Sequence, residues 1–293
     1  MSLKKNDAPT IGIVGQGFVG SAIREGLRNY YELSTFDIAK KEDFAANSLE
    51  DLVERSSIIF VCLPTPMRKS GECDTRILRK AILEIDSICE SRGWKEKIGV
   101  VKSTVPPGTT RSLDEETKSL TVIFSPEFLT EANAMNDFKN QNRIILGGSR
   151  PATSIVKSMF SKAFPRADII KTGSKTAEMV KYFINCFLAT KVSFANEIKQ
   201  ICDSQEIDYD KVVEYALYDM RLGRSHFSCP GPDGSSGFGG HCFPKDLNAM
   251  MYIALKEGIE PQVMAGVWAK NLEVRESALR DWEAMSGRAV SED

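Results

Sequence analysis

The chain has 293 residues, of which 42% are hydrophobic and 27% charged, proportions typical of a globular protein. Two domains are expected, because a single core stops growing near ~250–300 residues. The 38 basic residues are balanced by 40 acidic ones, so the net charge of -2 leaves no basic excess for binding a nucleic-acid backbone or an anionic membrane.

The sequence predicts neither a secretion signal nor a membrane span. Residues 1–7 lack the apolar core of a signal peptide, and the longest apolar stretches, such as 58–63, are far shorter than the ~20 residues of a spanning helix. The seven cysteines follow neither a disulfide framework nor a zinc-site spacing. A reducing, cytoplasmic compartment is therefore expected.

The first part of the chain alternates short β-branched runs with segments of helical period. The predicted strands are 10–15, 32–37, 57–63, 97–103, 120–125, 143–147 and, more weakly, 167–172. Helices are predicted between them, notably at 21–29, 75–92 and 151–164. Several strands are apolar without alternation, which is typical of strands buried on both faces. This pattern predicts a Rossmann-type, doubly wound parallel sheet over residues 1–173.

From Lys175 onward the pattern predicts helices alone. A long helix is expected at 176–202, with apolar positions that predict an extensively buried surface: Met179, Phe183, Phe187, Phe194, Ile198 and Ile201. Further helices are predicted at 208–217, 244–257 and 261–285, and a Gly-, Ser- and Pro-rich loop at 222–240. The chain should therefore end in an all-helical domain, 174–293, after a break at Gly173.

A glycine-rich turn follows the first predicted strand. The GQGFVG sequence at 15–20 allows a tight turn at Gly15, close approach of a pyrophosphate at Gly17 and close helix packing at Gly20, with Phe18 and Val19 between them. Asp37 lies 20 residues after Gly17, where a carboxylate accepts hydrogen bonds from a ribose diol. These features predict NAD as cofactor, although Lys40 and Lys41 leave NADP open.

Two more loops are expected at the same edge of the sheet, where open parallel sheets bind their ligands. Pro64-Thr65-Pro66 follows the third strand, and STVPPGT at 103–109 follows the fourth. Pro64, Thr65, Ser103 and Thr104 are therefore candidate cofactor residues, the alternative being rigid turns without a ligand.

The segment GFGGHCFPKD at 237–246 carries the strongest chemical signal. Its glycines bring the backbone close to another group, and Pro244 suits the first turn of a helix, which places Cys242 near a helix N-terminus. Such a position lowers a thiol pKa, with help from Lys245. A shift from ~8.5 to ~7 stabilises the thiolate by about 2 kcal/mol. The alternative is a small buried hydrophobic residue.

These motifs resemble those of the UDP-glucose/GDP-mannose dehydrogenases over about residues 10–275. The similar segments are the turn at 15–20, the loop at 103–109, FSPEFLTE at 124–131, the helix from TAEMVKYFIN at 176–185 to FANE at 194–197, and the cysteine segment. The resemblance implies two successive oxidations of a sugar primary alcohol by two NAD. Cys242 would form a thiohemiacetal and then a thioester that water hydrolyses.

The resemblance also assigns the other site residues. Lys181 and Asn185, four apart on one helix face, would stabilise oxyanions and contact the substrate. Glu127 would act as base for the hydrolysis, with Thr104 and Asp246 positioning water or a proton. Cofactor contacts extend to Glu131 and Lys245. The remaining substrate contacts are Phe128, Leu129, Arg221, Phe238 and Gly239.

Members of this family carry another α/β domain of about 100–150 residues after the central helices. The chain ends at Asp293, so the resemblance predicts a complete catalytic set and an incomplete nucleotide pocket. A homodimer through the long helix is expected. UDP-glucose is the predicted substrate, and Phe128 resembles the glucose and mannose enzymes rather than the acetamido-sugar branch. Open alternatives are a GDP-mannose dehydrogenase, a non-catalytic NAD-binding subunit, and a one-step 2- or 3-hydroxy-acid dehydrogenase.

Overall fold

Seven short strands form one sheet in the first part of the chain. A computed structural model describes residues 8–39 and 44–292. All seven predicted strands are confirmed, each within two residues of its predicted bounds. They are β1 (Ile11–Val14), β2 (Leu33–Phe36), β3 (Ile58–Val61), β4 (Lys97–Val101), β5 (Leu120–Phe124), β6 (Arg143–Gly147) and β7 (Asp168–Thr172).

The strand order is β2-β1-β3-β4-β5-β6-β7, so the sheet is doubly wound about β1 and β3. The expectation of a wholly parallel sheet is wrong at one place. β5 and β6 meet only at Phe124 and Gly147, where they run antiparallel. The segment between β5 and β6 contains a six-residue helix about 9 Å long. This helix is shorter than the ~16 Å length of a five-residue strand, which a crossover helix would have to match.

The helices of this part cover both faces of the sheet. They are α1 (Phe18–Leu27), α2 (Leu49–Arg55), α3 (Arg76–Ser91), α4 (Thr109–Glu116), α5 (Ala134–Lys139) and α6 (Arg150–Ala163). Ile58 and Phe60 contribute to the core on one face, and Ile59 and Val61 to the core on the other. This double burial explains why β3 is apolar throughout.

The remainder of the chain is helical, as predicted. Its helices are α7 (Ser174–Ser204), α8 (Tyr209–Ala216), α9 (Phe243–Lys256) and α10 (Gln262–Val274), with 3-10 turns at Met220–Leu222, Ser277–Leu279 and Asp281–Ala284. The single helix predicted at 261–285 is wrong, because α10 ends at Val274. Arg275 adopts an extended backbone there and buries its side chain, of which 3% is exposed. Tertiary contacts of Arg275 thus override a continuous helical pattern.

The apolar positions of α7 are less buried than predicted. Phe183, Phe187 and Phe194 are 68%, 56% and 59% exposed in the single chain. The prediction of an extensively buried helix surface is therefore wrong for the chain by itself, because no other element of the described chain covers these rings.

The chain divides into two compact units. The first comprises the chain up to Thr65 and Thr75–Lys181, and the second comprises Pro66–Asp74 and the chain from Tyr182 onward. The division thus lies within α7, whereas the sequence places a break before it, at Gly173. Within the described residues, no helix combines the length and the apolar character that crossing a membrane requires.

Candidate active site

The glycine turn in the first unit has the geometry that its sequence predicts. Gly15 has a φ of +91°, and a Cβ there would lie 2.4 Å from the Cys62 carbonyl oxygen. A Cβ on Gly20 would lie 1.9 Å from the Gly15 carbonyl oxygen, whereas a Cβ on Gly17 would meet nothing within 4 Å. Two glycines are thus needed for packing, and Gly17 borders open space at the N-terminus of α1. Phe18 and Val19 are partly buried against the core.

The loops after β2, β3 and β4 adjoin this turn. The Asp37 carboxylate accepts the Gln16 N–H at 2.6 Å and the Ala39 N–H at 2.8 Å. The Thr65 hydroxyl donates to the Thr104 carbonyl at 2.8 Å, and the Ser103 hydroxyl donates to the Leu63 carbonyl at 2.5 Å. The loops at 64–66 and 103–109 are therefore tied together, while Lys40 and Lys41 lie outside the described residues.

Glu127 and Lys181 form a buried ion pair in the first unit. The Lys181 ammonium donates to Glu127 Oε1 at 2.9 Å and to the Glu127 carbonyl at 2.7 Å, and the Leu129 N–H donates to Glu127 Oε2 at 2.6 Å. Burial acts to raise the pKa of Glu127, but Lys181 and the Leu129 N–H outweigh it and hold that pKa below its ordinary value. Glu127 is therefore a carboxylate at neutral pH.

Phe128 and Leu129 lie beside a cavity of about 340 Å³ in the first unit. Its walls also carry Thr130, Asn136 and Arg143, and the Arg143 guanidinium lies 4.4 Å from the centroid of the Phe128 ring. The predicted substrate residues of this loop thus border open space with polar walls.

Cys242 caps the N-terminus of α9 in the second unit. The helix begins at Phe243 and carries Pro244 in its first turn, as predicted. The thiol is not part of a disulfide and is half-buried. This is the position at which unsatisfied backbone N–H groups favour a thiolate.

A buried polar network lies in the first turn of α9. Asn185 Nδ2 donates to Asp246 Oδ2 at 2.6 Å, and the Lys245 ammonium is paired with Asp246 Oδ1. Burial acts to lower the pKa of Lys245, but the Asp246 carboxylate outweighs it and raises that pKa. Lys245 is therefore a fixed cation in the vicinity of Cys242.

The other predicted site residues differ in their exposure. The Arg221 side chain is 89% exposed and pairs with Asp219 in the same turn. Glu131 and Pro64 are exposed. Lys181 donates to the Glu127 carboxylate, and Asn185 donates to the Asp246 carboxylate. Phe238 is buried, and Gly239 lies against Arg275 and Asp281.

Two sets of buried polar residues were not predicted from the sequence. Lys102 is 5% exposed and donates to the Ser125 hydroxyl and the Pro126 carbonyl, and burial lowers its pKa to about 8. Asn271 and Arg275 hold the glycine-rich turn before Cys242. In the sequence, Lys102 follows an apolar run of the predicted fourth strand, and Asn271 and Arg275 are polar residues within the helix predicted at 261–285. These were the signals that could have revealed the two sets.

Two family models match most of the chain. Residues 30–164 match the NAD binding domain of the UDP-glucose/GDP-mannose dehydrogenase family, and residues 175–273 match the central domain of the same family. The turn at 15–20 precedes the matched residues, so its interpretation rests on the geometry given above.

Known proteins of this family are similar to the chain. UDP-glucose 6-dehydrogenase TuaD of Bacillus subtilis is 32% identical, with 92% of this chain and 60% of that protein covered. UDP-glucose 6-dehydrogenase AglM of Haloferax volcanii is 30% identical, with 87% and 67% covered. The structure of a UDP-glucose dehydrogenase from Pyrobaculum islandicum superposes with a TM-score of 0.80 at 28% identity, over 92% of this chain and 69% of that one. The chain thus spans 60% of the length of TuaD.

Proposed function

The chain belongs to the UDP-glucose/GDP-mannose dehydrogenase family, and we propose that it is an NAD-dependent nucleotide-sugar 6-dehydrogenase that oxidises the primary alcohol of UDP-glucose to a uronate. One observation carries this proposal: a half-buried cysteine outside any disulfide occupies the N-cap position of a helix whose first turn holds the buried Lys245–Asp246–Asn185 network. A one-step dehydrogenase has no need of that thiol.

The residues of the first unit fit NAD. Open space at Gly17 leaves room for a pyrophosphate at the N-terminus of α1, and the carboxylate of Asp37 stands at the end of β2, where a ribose diol would be bound. Pro64, Thr65, Ser103, Thr104, Glu131 and Lys245 are the other proposed cofactor contacts. Two NAD molecules, bound one after the other, would accept the two hydrides that the substrate loses.

Cys242 supplies the covalent chemistry. An aldehyde does not readily lose a second hydride until a nucleophile adds to its carbonyl carbon. In our proposal the thiolate of Cys242 adds to that carbon and the resulting thiohemiacetal is oxidised to a thioester. Water then cleaves the C–S bond, which releases the acid and regenerates the thiol. Lys245 stabilises the thiolate.

The remaining catalytic residues stabilise negative charge and take part in proton transfer. Lys181 and Asn185 stabilise the oxyanions that form at the reacting carbon. Glu127 accepts a proton from the hydrolytic water, a role that its lowered pKa supports because the base form is present at neutral pH. Thr104 and Asp246 position that water. Phe128, Leu129, Arg221, Phe238 and Gly239 are proposed to contact the substrate.

Steady-state assays test the proposal directly. NAD reduction is followed at one enzyme concentration with UDP-glucose, GDP-mannose and UDP-N-acetylmannosamine. We expect UDP-glucose to give the highest kcat/KM and two NADH for each acid released. If GDP-mannose gave the highest kcat/KM, the proposed substrate would be wrong but the proposed mechanism would stand. One NADH per product would instead support a hydroxy-acid dehydrogenase.

The nucleophile is tested by Cys242→Ser. This variant should pass the first hydride and stall before acid release, because an alcohol oxygen at this position does not form the thioester. Acid release at the wild-type rate would exclude the mechanism. A chain that binds NAD but reduces none with any sugar nucleotide would support the alternative of a non-catalytic subunit.

We also propose a homodimer that pairs α7 with its equivalent. The exposed rings of Phe183, Phe187 and Phe194 support it, since exposed apolar surface of this kind marks an interface. A reducing, cytoplasmic location stays a prediction, with which the lack of a disulfide among the seven cysteines agrees.

A further inference from the structure

Side chains from α10 and the segment after it hold the turn that leads into Cys242. The Gly240 N–H donates to both carboxylate oxygens of Asp281, at 3.1 and 3.0 Å. Asn271 Oδ1 accepts the Phe238 N–H at 2.7 Å, and Asn271 Nδ2 donates to the Phe238 carbonyl at 3.1 Å. The backbone at 238–240 is thus fixed by groups from a distant part of the sequence.

These contacts explain the glycines of the turn. A Cβ on Gly239 would lie 2.4 Å from Arg275 Nη2 and 2.4 Å from Asp281 Oδ1. Gly237 has a φ of +70°, and a Cβ there would lie 2.4 Å from Asn271 Oδ1. The group that the glycine backbone approaches is therefore a polar layer of the chain itself.

Arg275 is the centre of this layer. Its side chain is 3% exposed, and its guanidinium pairs with Asp233 Oδ2 at 2.7 Å and lies 3.6 Å from Asp281 Oδ1. Its Nε donates to the Leu279 carbonyl at 2.8 Å. A buried guanidinium needs such partners to offset its lost hydration. Arg275 and Asp281 therefore fix each other while they contact Gly239 and Gly240.

We propose that Arg275 and Asp281 are positioning residues for Cys242. Cys242 lies two residues after Gly240 and immediately precedes α9, so a displaced turn displaces the thiol. The thiol sulfur must form a bond to the aldehyde carbon while the carbonyl electron pair moves to oxygen and takes up a proton. A misplacement of ~1 Å costs such a step ~100-fold. This inference rests on the function proposed above.

Two substitutions at one position separate contact from charge. Asp281→Ala removes both acceptors of the Gly240 N–H, whereas Asp281→Asn keeps one acceptor oxygen and loses the negative charge. We expect Asp281→Ala to lower kcat for acid release by ~10- to 100-fold, with the Kd for NAD within about twofold of wild type. Asp281→Asn should recover at least about a third of the wild-type kcat, because the contact remains.

Gly266→Ala is the matched control on α10, because a Cβ there meets nothing within 4 Å, and it should keep wild-type kinetics. If Asp281→Ala does not fold, Gly239→Ala displaces the Arg275–Asp281 pair from the opposite side. Because Gly239 is also a proposed substrate contact, this variant is scored by the rate constant for reaction of Cys242 with iodoacetamide as well as by kcat. A folded Asp281→Ala, or Gly239→Ala in its place, with kcat within about twofold of wild type would overturn the proposal. An Asp281→Asn as slow as Asp281→Ala would also overturn it.

Alkylation separates a failure of this inference from a failure of the proposed function. If the wild type oxidises no sugar nucleotide, the rate constant for reaction of Cys242 with iodoacetamide still reports the placement of the thiol. Asp281→Ala should change that rate constant by at least about threefold, and Asp281→Asn should not. Equal rates in all three proteins would overturn the positioning role whatever the substrate.

Discussion

Glu127 remains charged despite burial because Lys181 and a backbone N–H bind its two oxygens. Lys181→Met would leave this carboxylate in a buried site without its ion-pair partner. We expect a loss of about 3–5 kcal/mol in the free energy of unfolding, measured by urea denaturation. The exposed Lys171→Met should change it by less than about 0.5 kcal/mol.

A double variant tests whether the unpaired buried charge of Glu127 causes this loss of stability. Glu127→Gln with Lys181→Met removes the buried charge as well as its partner, so it should be more stable than Lys181→Met alone. A Lys181→Met protein that loses less than about 1 kcal/mol would contradict a buried ion pair at this position.

Lys102 makes stability depend on pH in the alkaline range. Burial lowers its pKa in the folded chain to about 8, from the ordinary value of 10.5. Between these values the unfolded chain binds more protons, so this group makes the free energy of unfolding rise with pH, by up to about 1.4 kcal/mol per pH unit. Cys62 acts in the opposite direction above pH 9, since burial raises its pKa to about 12.

Comparison of two variants separates the contribution of Lys102 to the pH dependence of stability from that of other groups. The slope between pH 8 and 10 should be lower in Lys102→Met than in wild type, whereas the exposed Lys95→Met should keep the wild-type slope. Equal slopes in wild type and Lys102→Met would show that burial does not lower the pKa of the Lys102 amine.

The turn between β1 and α1 gives a test at the scale of one element. Gly20→Ala would place a Cβ 1.9 Å from the Gly15 carbonyl oxygen, so the turn must shift, at a cost of about 1–3 kcal/mol in unfolding free energy. Gly17→Ala places its Cβ in open space and should keep the melting temperature close to that of wild type. Because that space is where NAD is proposed to bind, Gly17→Ala should still weaken NAD binding by at least tenfold, about 1.4 kcal/mol.

Thermal unfolding and NAD titration of the two glycine variants measure these effects separately. Wild-type affinity for NAD in Gly17→Ala would exclude the turn as the pyrophosphate site. A Gly20→Ala protein with wild-type stability would mean that α1 does not pack against the turn as closely as described.

The end of α10 shows how an element can depart from its sequence pattern. The apolar and polar positions of 261–285 continue a helical period, yet the helix ends at Val274. Arg275 finds partners in Asp233, Ser236 and Leu279 that a continuous helix would not offer it. Contacts distant in sequence therefore decided where this helix ends.

Association of two chains belongs to the scale of the whole molecule. Phe183 and Phe187 stack on the exposed surface of α7, with ring centroids 6.3 Å apart. Phe187→Glu should shift the proposed dimer to monomer in analytical ultracentrifugation, because a carboxylate would have to be buried at the interface. Phe187→Leu keeps an apolar contact and should remain dimeric. A wild-type protein that sediments as a monomer would contradict the proposed dimer.

The sequence by itself determined the seven strands, the long helix, the glycine turn and the helix start at Cys242. These features follow from local chemistry: β-branched apolar runs form buried strands, and glycine and proline occupy positions that other residues disfavour. The family was also readable, because its motifs are short, ordered segments of the chain.

The tertiary structure alone decided the pairing of buried charges and the supports of the catalytic turn. Nothing local links Lys181 to Glu127, Asn185 to Asp246 or Asp281 to Gly240, and each pair is far apart along the chain. The packing of whole elements determines which groups are paired. A buried charged or polar group has no water to bind, so it must bind a protein group that the fold places beside it.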